Sequence, residues 1–241
     1  MWSASGTGSE AVLPGVIVPD SHVEFVFHLE ETWRIRCVDQ QEWTPQPSAF
    51  AFAQSHGELR FDADGATSIV AFRVTPVVTS VILGCPIHDI WNEPVALCEL
   101  VRSDADNLCE SLRGCASHER FSLLESWIDR RLANWSGEHF AVQRLFNRVM
   151  WSSPAGGVAA LSRQLGWSDR GLRRMITQAT GLSPKDGRAA GRTPPRRLRA
   201  FARAARDRYH RSRGTDWILR SRRIYAFVSS ASGNDTVAVL C

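Results

Sequence analysis

Residues 157–185 read GVAALSRQLGWSDRGLRRMITQATGLSPK, and their spacing predicts two short helices joined by a tight turn. Val158, Leu161 and Leu165 recur at intervals of three and four, which places them on one helical face. Leu172, Met175, Ile176 and Ala179 repeat the pattern in a second helix. Gly166 falls where the first helix must stop and the chain must turn sharply, a position that favours a residue free to adopt positive φ. Ser168 then suits the N-cap of the second helix, because its hydroxyl can accept from an unpaired backbone N–H of the first turn. Gly181 ends that helix by the C-terminal logic, with Pro184 soon after. The arrangement is that of a helix-turn-helix.

Charge is distributed around this stretch unevenly. The chain has 241 residues and a formal charge of +4. Residues 1–150 hold 11 arginines and no lysine against 20 acidic residues, net −9, whereas residues 151–241 hold 18 basic residues against 5 acidic ones, net +13. Such asymmetry predicts a polyanionic partner for the second part. At 44% hydrophobic the chain can bury a real core. It has no run approaching the ~20 apolar residues of a membrane span, and MWSASGTGSE has no basic segment followed by an apolar one. A cytoplasmic protein is expected.

Upstream, residues 1–11 are small and polar and are expected to be disordered. From Leu13 to about Val74 the pattern is strand-like. HVEFVFHL places Val23, Phe25, Phe27 and Leu29 on one face and Glu24, Val26 and His28 on the other, the solvent face of a half-buried strand. TWRIRCV continues the alternation, with Glu30-Glu31 as a hairpin connection. AFAFAQ, GELRFDADG and SIVAFRV follow, separated by turn residues. Residues 76–83 and 86–91 read as short helical or buried segments interrupted by Gly84 and Pro86. Firmer helices follow at 104–113, 118–134 and 138–151, carrying Leu108, Leu112, Phe121, Leu124, Trp127, Ile128, Leu132, Phe140, Leu145, Phe146 and Val149 at helical spacing. The fold class expected is α+β: a β-rich N-terminal region followed by helices, then an all-α helix-turn-helix region and a basic tail.

The run LSRQLGWSDRGLRRMITQATGLSPK resembles the first helix-turn-helix of AraC/XylS-type transcriptional regulators. Leu161, Leu165, Gly166, Ser168, Arg170, Leu172, Arg174, Gly181, Ser183 and Pro184 stand in the matching places, and Ile176 replaces the usual Phe. LPGVIVPDSHVEFVFHL and AFRVTPVVTSVILGCPIHDIWNEPV resemble parts of the sensor domain that precedes this motif in one branch of the family. The resemblance implies a sensor or dimerisation domain at 12–135, a DNA-binding region at 136–185 and a divergent tail at 186–241. It further implies that the second helix enters a DNA major groove, with Arg170, Arg173 and Arg174 facing it and Ser168 and Asp169 at its start. An arginine fork can donate two hydrogen bonds to guanine, discriminating by about 1–3 kcal/mol. Arg163, on the first helix, would contact backbone phosphate, which positions without specifying. Gln178 and Thr177, a turn or more further along, would touch phosphate or nothing. The bland alternative is a solvated arginine face on a helical hairpin.

After Lys185 the likeness stops. Between residues 186 and 223 there are 13 arginines against 3 acidic residues, Pro194-Pro195 break any linker helix, and no second helix-turn-helix aligns. The tail is either a frameshifted or degenerated C-terminus or a basic arm gripping phosphates with steep salt dependence; a helix-turn-helix pattern in another reading frame would support the first. Without the second motif, the alternative function is an effector- or protein-binding module that has lost specific DNA binding.

Enzymatic readings find little. The chain has no G-x-S-x-G elbow, phosphate-binding loop, dinucleotide fingerprint or H-E-x-x-H, so no catalytic residue and no cofactor is expected. The six cysteines show no C-x-x-C spacing and are expected to be reduced. Two sets of residues offer a metal reading, Cys109/Cys115/His118 and the strand face His22/Glu24/His28; neither is the expected one. Phe25, Phe27, Trp33, Trp43, Phe50, Phe52 and Phe72 would line an effector pocket or, more simply, form core. The expected partners are double-stranded DNA, a small-molecule effector of unknown identity and a second copy of the chain.

Overall fold

The computed structural model describes residues 2–6, 16–17, 22–37, 41–53, 59–62, 67–85, 87, 90–151 and 157–185. The expectations for the tail, 186–241, lie outside the described residues. The architecture is α+β, with strands to Val74 and mainly helices beyond. Strands β1 (Trp2–Gly6), β8 (Thr67–Val74), β3 (Val23–His28), β6 (Ala49–Ala53) and β9 (Val95–Ala96) form one sheet in that spatial order. Strands β2 (Val16–Ile17), β7 (Leu59–Asp62), β4 (Arg34–Cys37) and β5 (Thr44–Pro45) form a second.

Helices α1 (Pro76–Leu83), α2 (Leu97–Val101), α3 (Ser103–Gly114) and α4 (Arg120–Arg131) follow the strands. They cover one face of the five-stranded sheet. Phe25, Phe27 and Phe72 on the sheet pack there with Leu97, Leu108, Leu112, Leu124, Trp127 and Ile128 in the largest core cluster. Phe25 and Phe72, adjacent in register, stack at 4.5 Å. The other face of the same sheet packs against the smaller sheet through Val26, Phe50, Phe52 and Ala71, which meet Ile35 and Leu59. The central sheet is therefore a middle layer, buried on both sides.

That layering corrects four expectations. Glu24, Val26 and His28 are not a solvent face: Val26 is 6% and His28 0% exposed, because the second sheet closes over them. Period-2 alternation distinguishes two faces but cannot tell whether the more polar one is wet. Glu30-Glu31 do not close a hairpin, since β3 pairs with β6 and β8 while β4 belongs to the other sheet. Residues 2–6, expected to be disordered, pair in register with the exposed edge of β8, Trp2 opposite Ala71 through Gly6 opposite Thr67; a short run of Ser, Ala and Gly has too little pattern to announce this. Finally, β9 returns a strand to the sheet after the chain has turned helical, with Phe50 opposite Ala96 and Ala51 opposite Val95.

The remaining helices are α5 (Gly137–Trp151), α6 (Gly157–Leu165) and α7 (Asp169–Thr180). They form their own core from Phe146, Val149, Val158, Leu161, Leu172 and Ile176, with Val77 of α1 inserted among them. Helix α1 thus serves both cores, because Ile82 and Leu83 at its other end belong to the sheet-side cluster. It is a well-formed element for its length. The Thr75 hydroxyl caps it by accepting from Val78 N–H, Pro76 occupies the first turn, and Gly84 ends it at φ 69°, as N-terminal Pro and C-terminal Gly should.

Candidate nucleic-acid interface

The two-helix stretch folds as its spacing predicts. Gly166 adopts φ 67° between α6 and α7, and Trp167 N–H donates to Ser162 O at 2.9 Å to tighten the turn. Ser168 has extended backbone and its Oγ accepts from Gly171 N–H at 3.1 Å, an N-cap of the kind worth about 1 kcal/mol. Gly181 closes α7 at φ 68°, its N–H donating to Thr177 O. Leu172 and Ile176 are 0% and 2% exposed, and they hold α7 against α6 and α5. One apolar position departs from expectation: Leu165 is 38% exposed. It is the last residue of α6, where the chain swings away into Gly166, and the buried face of that helix ends with Val158, Leu161 and Ser162 instead.

The opposite face of α7 carries the charge. Arg170, Arg173, Arg174, Thr177 and Gln178 are all exposed and together line one open surface depression. Their positions, at intervals of three and four, are those of one helical stripe. Thr177 and Gln178, expected from the sequence to touch phosphate or nothing, lie on the same surface as the arginines. Asp169 is the sole acidic residue of α7.

Ser168 and Asp169 have structural partners. The hydroxyl of Ser168 is engaged by the cap, and the Asp169 carboxylate accepts from the hydroxyl of Ser162, a side chain that is 0% exposed. That bond ties the start of α7 to the body of α6, and a carboxylate in a first helical turn is favourable in its own right. Arg163 is exposed on α6, with its Nε donating to Ala159 O at 3.2 Å. It lies apart from the arginine depression of α7. A hydrogen bond from Arg148 Nη2 to Gln164 Oε1 at 2.9 Å joins α5 to α6, so the three helices hold the arginine stripe on a braced support.

The other candidate groups are dispersed. Glu24 accepts from Arg73 Nη2 and Nε at 2.6 and 3.1 Å. His28 Nε2 lies 3.0 Å from Gln46 Oε1, between the sheets. Burial lowers the His28 pKa from 6.5 to about 4; the Gln46 hydrogen bond opposes this and Arg113 reinforces it. Cys109 is buried while His118 is exposed, and burial pushes the Cys109 thiol up to about 11, which keeps it protonated and unreactive. Cys98 is exposed, so the thiols are divided between core and surface. The seven aromatic residues do not line one pocket. Phe25, Phe27 and Phe72 face the helices, Phe50 and Phe52 face the second sheet, and Trp43 lies under the guanidinium of Arg36 at 4.6 Å. No helix among the described residues is long and apolar enough to cross a membrane.

No family model matches the chain, and no curated protein matches it. Among solved structures it is similar to the crystal structure of ToxT from Vibrio cholerae O395, with a TM-score of 0.36 and 7% identity over 79% of this chain and 78% of that one. A likeness so distant leaves both fold and function to be argued from the chain itself.

Proposed function

We propose that the chain is a DNA-binding transcription regulator of the AraC/XylS type, in which α7 enters a major groove. The observation that carries this reading is the stripe of Arg170, Arg173, Arg174, Thr177 and Gln178, exposed along one face of a helix whose opposite face is buried. Three guanidiniums there attract the phosphate backbone, and each can pair with guanine O6 and N7. Thr177 and Gln178 extend the reading surface, since Gln can bond adenine bidentately. Ser168 and Asp169 act by fixing the helix start, and Arg163 by gripping a phosphate. The chain on this reading binds and does not catalyse, and the layered β region upstream serves as its sensor or dimerisation part.

The test is a gel shift against duplexes selected by the wild-type chain from random sequence, and against its own upstream region. Specific retardation that is lost in Arg170→Ala/Arg174→Ala supports the proposal. Equal, salt-labile binding by both proteins would refute it.

A further inference from the structure

Helix α7 is held at its far end by a residue that bridges to the central sheet. The last carbonyls of a helix have no partner within it. Thr180 O is such a group, and the indole Nε1 of Trp91 donates to it at 3.1 Å. Thr180 itself is 0% exposed, and its hydroxyl donates to Ile176 O at 2.7 Å, so the bond is made to an ordered, buried helix end. Trp91 is in turn fastened to the central sheet. It forms a parallel bridge with Ala53, the last residue of β6. The next residue, Asn92, donates its N–H to Ala53 O at 2.6 Å in a left-handed conformation, φ 69°, that a non-glycine residue adopts only at a cost. The bridge to Ala53 and the turn at Asn92 fix the backbone from which the indole reaches the helix.

Two further links run parallel to this one. Val77 of α1 is packed with Leu172 and Ile176 on the buried side of α7. Thr75 Oγ1, at the junction of β8 and α1, donates to Gln143 Oε1 of α5 at 2.5 Å. Together with Trp91 they attach the helix-turn-helix at separate points to strands β6 and β8. Rotating α7 against the sheet would break the Trp91 bond and pull Val77 from its pocket.

We propose that Trp91 is a positioning residue for α7: it clamps the C-terminal end of the helix to the end of strand β6 in the central sheet, so that the orientation of the arginine stripe is set by β6 and passes any displacement of that strand to the DNA-facing surface. The consequence for DNA rests on the function proposed above; the clamp does not.

The experiment uses the full chain and Trp91→Phe, which keeps an aromatic ring and removes the N–H donor. Loss of one such bond is expected to speed amide exchange in the last turn of α7 about fivefold, with exchange in α3 and α4 unchanged. On a duplex selected by the wild-type chain, the same variant is expected to lose about fivefold in affinity relative to a scrambled duplex, while its affinity for the scrambled duplex holds and its melting temperature falls by no more than the few degrees that one bond commands. A loss of stability alone would weaken binding to both duplexes together. Should Trp91→Phe fail to fold, Gln143→Ala, which removes the parallel link and leaves the Thr75 cap of α1 in place, is expected to leave the last-turn protection of α7 intact because the indole still holds it. Unchanged last-turn exchange in Trp91→Phe, or loss of that protection in Gln143→Ala, overturns the clamp. Faster exchange with an unchanged preference for the selected duplex overturns the positioning role. If the wild-type chain selects no duplex, the DNA reading fails while the exchange result still decides the clamp.

Discussion

The core under the central sheet and the core under the helix-turn-helix are assembled from different ranges of the chain. The first draws on residues from Val23 to Ile128, with Phe27, Phe72 and Trp127 meeting across long separations. The second is almost local: apart from Val77, its members run from Phe146 to Ile176. The sheet that lines the first core is covered on both faces. The second core leaves one side of α7 open, and on that side all the exposed charge except Asp169 is arginine. The larger buried core and the arginine stripe thereby belong to two packing units, and α1 with Trp91 is where they meet.

The sharpest way to break that division is to damage the first core. Phe72→Ala removes a ring that is 0% exposed and stacked on Phe25 at 4.5 Å, and it should cost about 3–5 kcal/mol, read as a lower urea midpoint. If the two units are joined as described, α7 loses its helical signal in the same transition.

A gentler blow to the same region is acid. His28 is lowered from 6.5 to about 4 mainly by burial. A group with a depressed folded pKa contributes stability that is whole above about pH 6.5 and is lost as the pH falls toward 4. Full protonation should cost about 3 kcal/mol. The difference between urea midpoints at pH 7.5 and pH 4.5 should shrink in His28→Gln, which removes the titrating group.

On the recognition side, Arg170→Ala/Arg174→Ala should leave thermal stability within about 0.5 kcal/mol, as for exposed substitutions generally, while removing about 1–3 kcal/mol of base discrimination per lost bidentate contact. Competition binding against a scrambled duplex measures the second quantity and thermal melting the first. The smallest effect is expected for Ser168→Ala. Loss of the cap to Gly171 should cost about 1 kcal/mol, visible as faster amide exchange confined to the first turn of α7.

The same contrast explains what the sequence made legible. In the helix-turn-helix, the cap at Ser168, the turns at Gly166 and Gly181 and the buried Leu172 and Ile176 all follow from contacts a few residues apart. Leu165 is the exception, because nothing local says whether a neighbouring helix will reach over the end of α6. The arginine stripe of α7 was legible from its helical period; that Thr177 and Gln178 share its surface depression shows only in the folded helix. In the β region the strands were legible and their partners were not. The alternation of Val23, Phe25 and Phe27 marks one buried face correctly; that Val26 is buried too depends on strands β4 and β7, which reach it from another sheet, and that His28 is buried depends on Trp33, Gln46 and Phe50.

What the sequence by itself determined is the local grammar: amphipathic helices, their caps and stops, the alternation of the strands, and a basic surface on one helix. These are set by φ/ψ preferences and by side chains three or four residues apart, and they hold in any surroundings that bury the apolar face. Only the tertiary structure decided that two sheets enclose His28, that residues 2–6 complete a sheet, that α1 belongs to two cores, and that Trp91 reaches Thr180. Each of these depends on which distant surfaces meet, and the pairing of distant surfaces is chosen by the summed burial of the whole chain, a quantity no short stretch of residues contains.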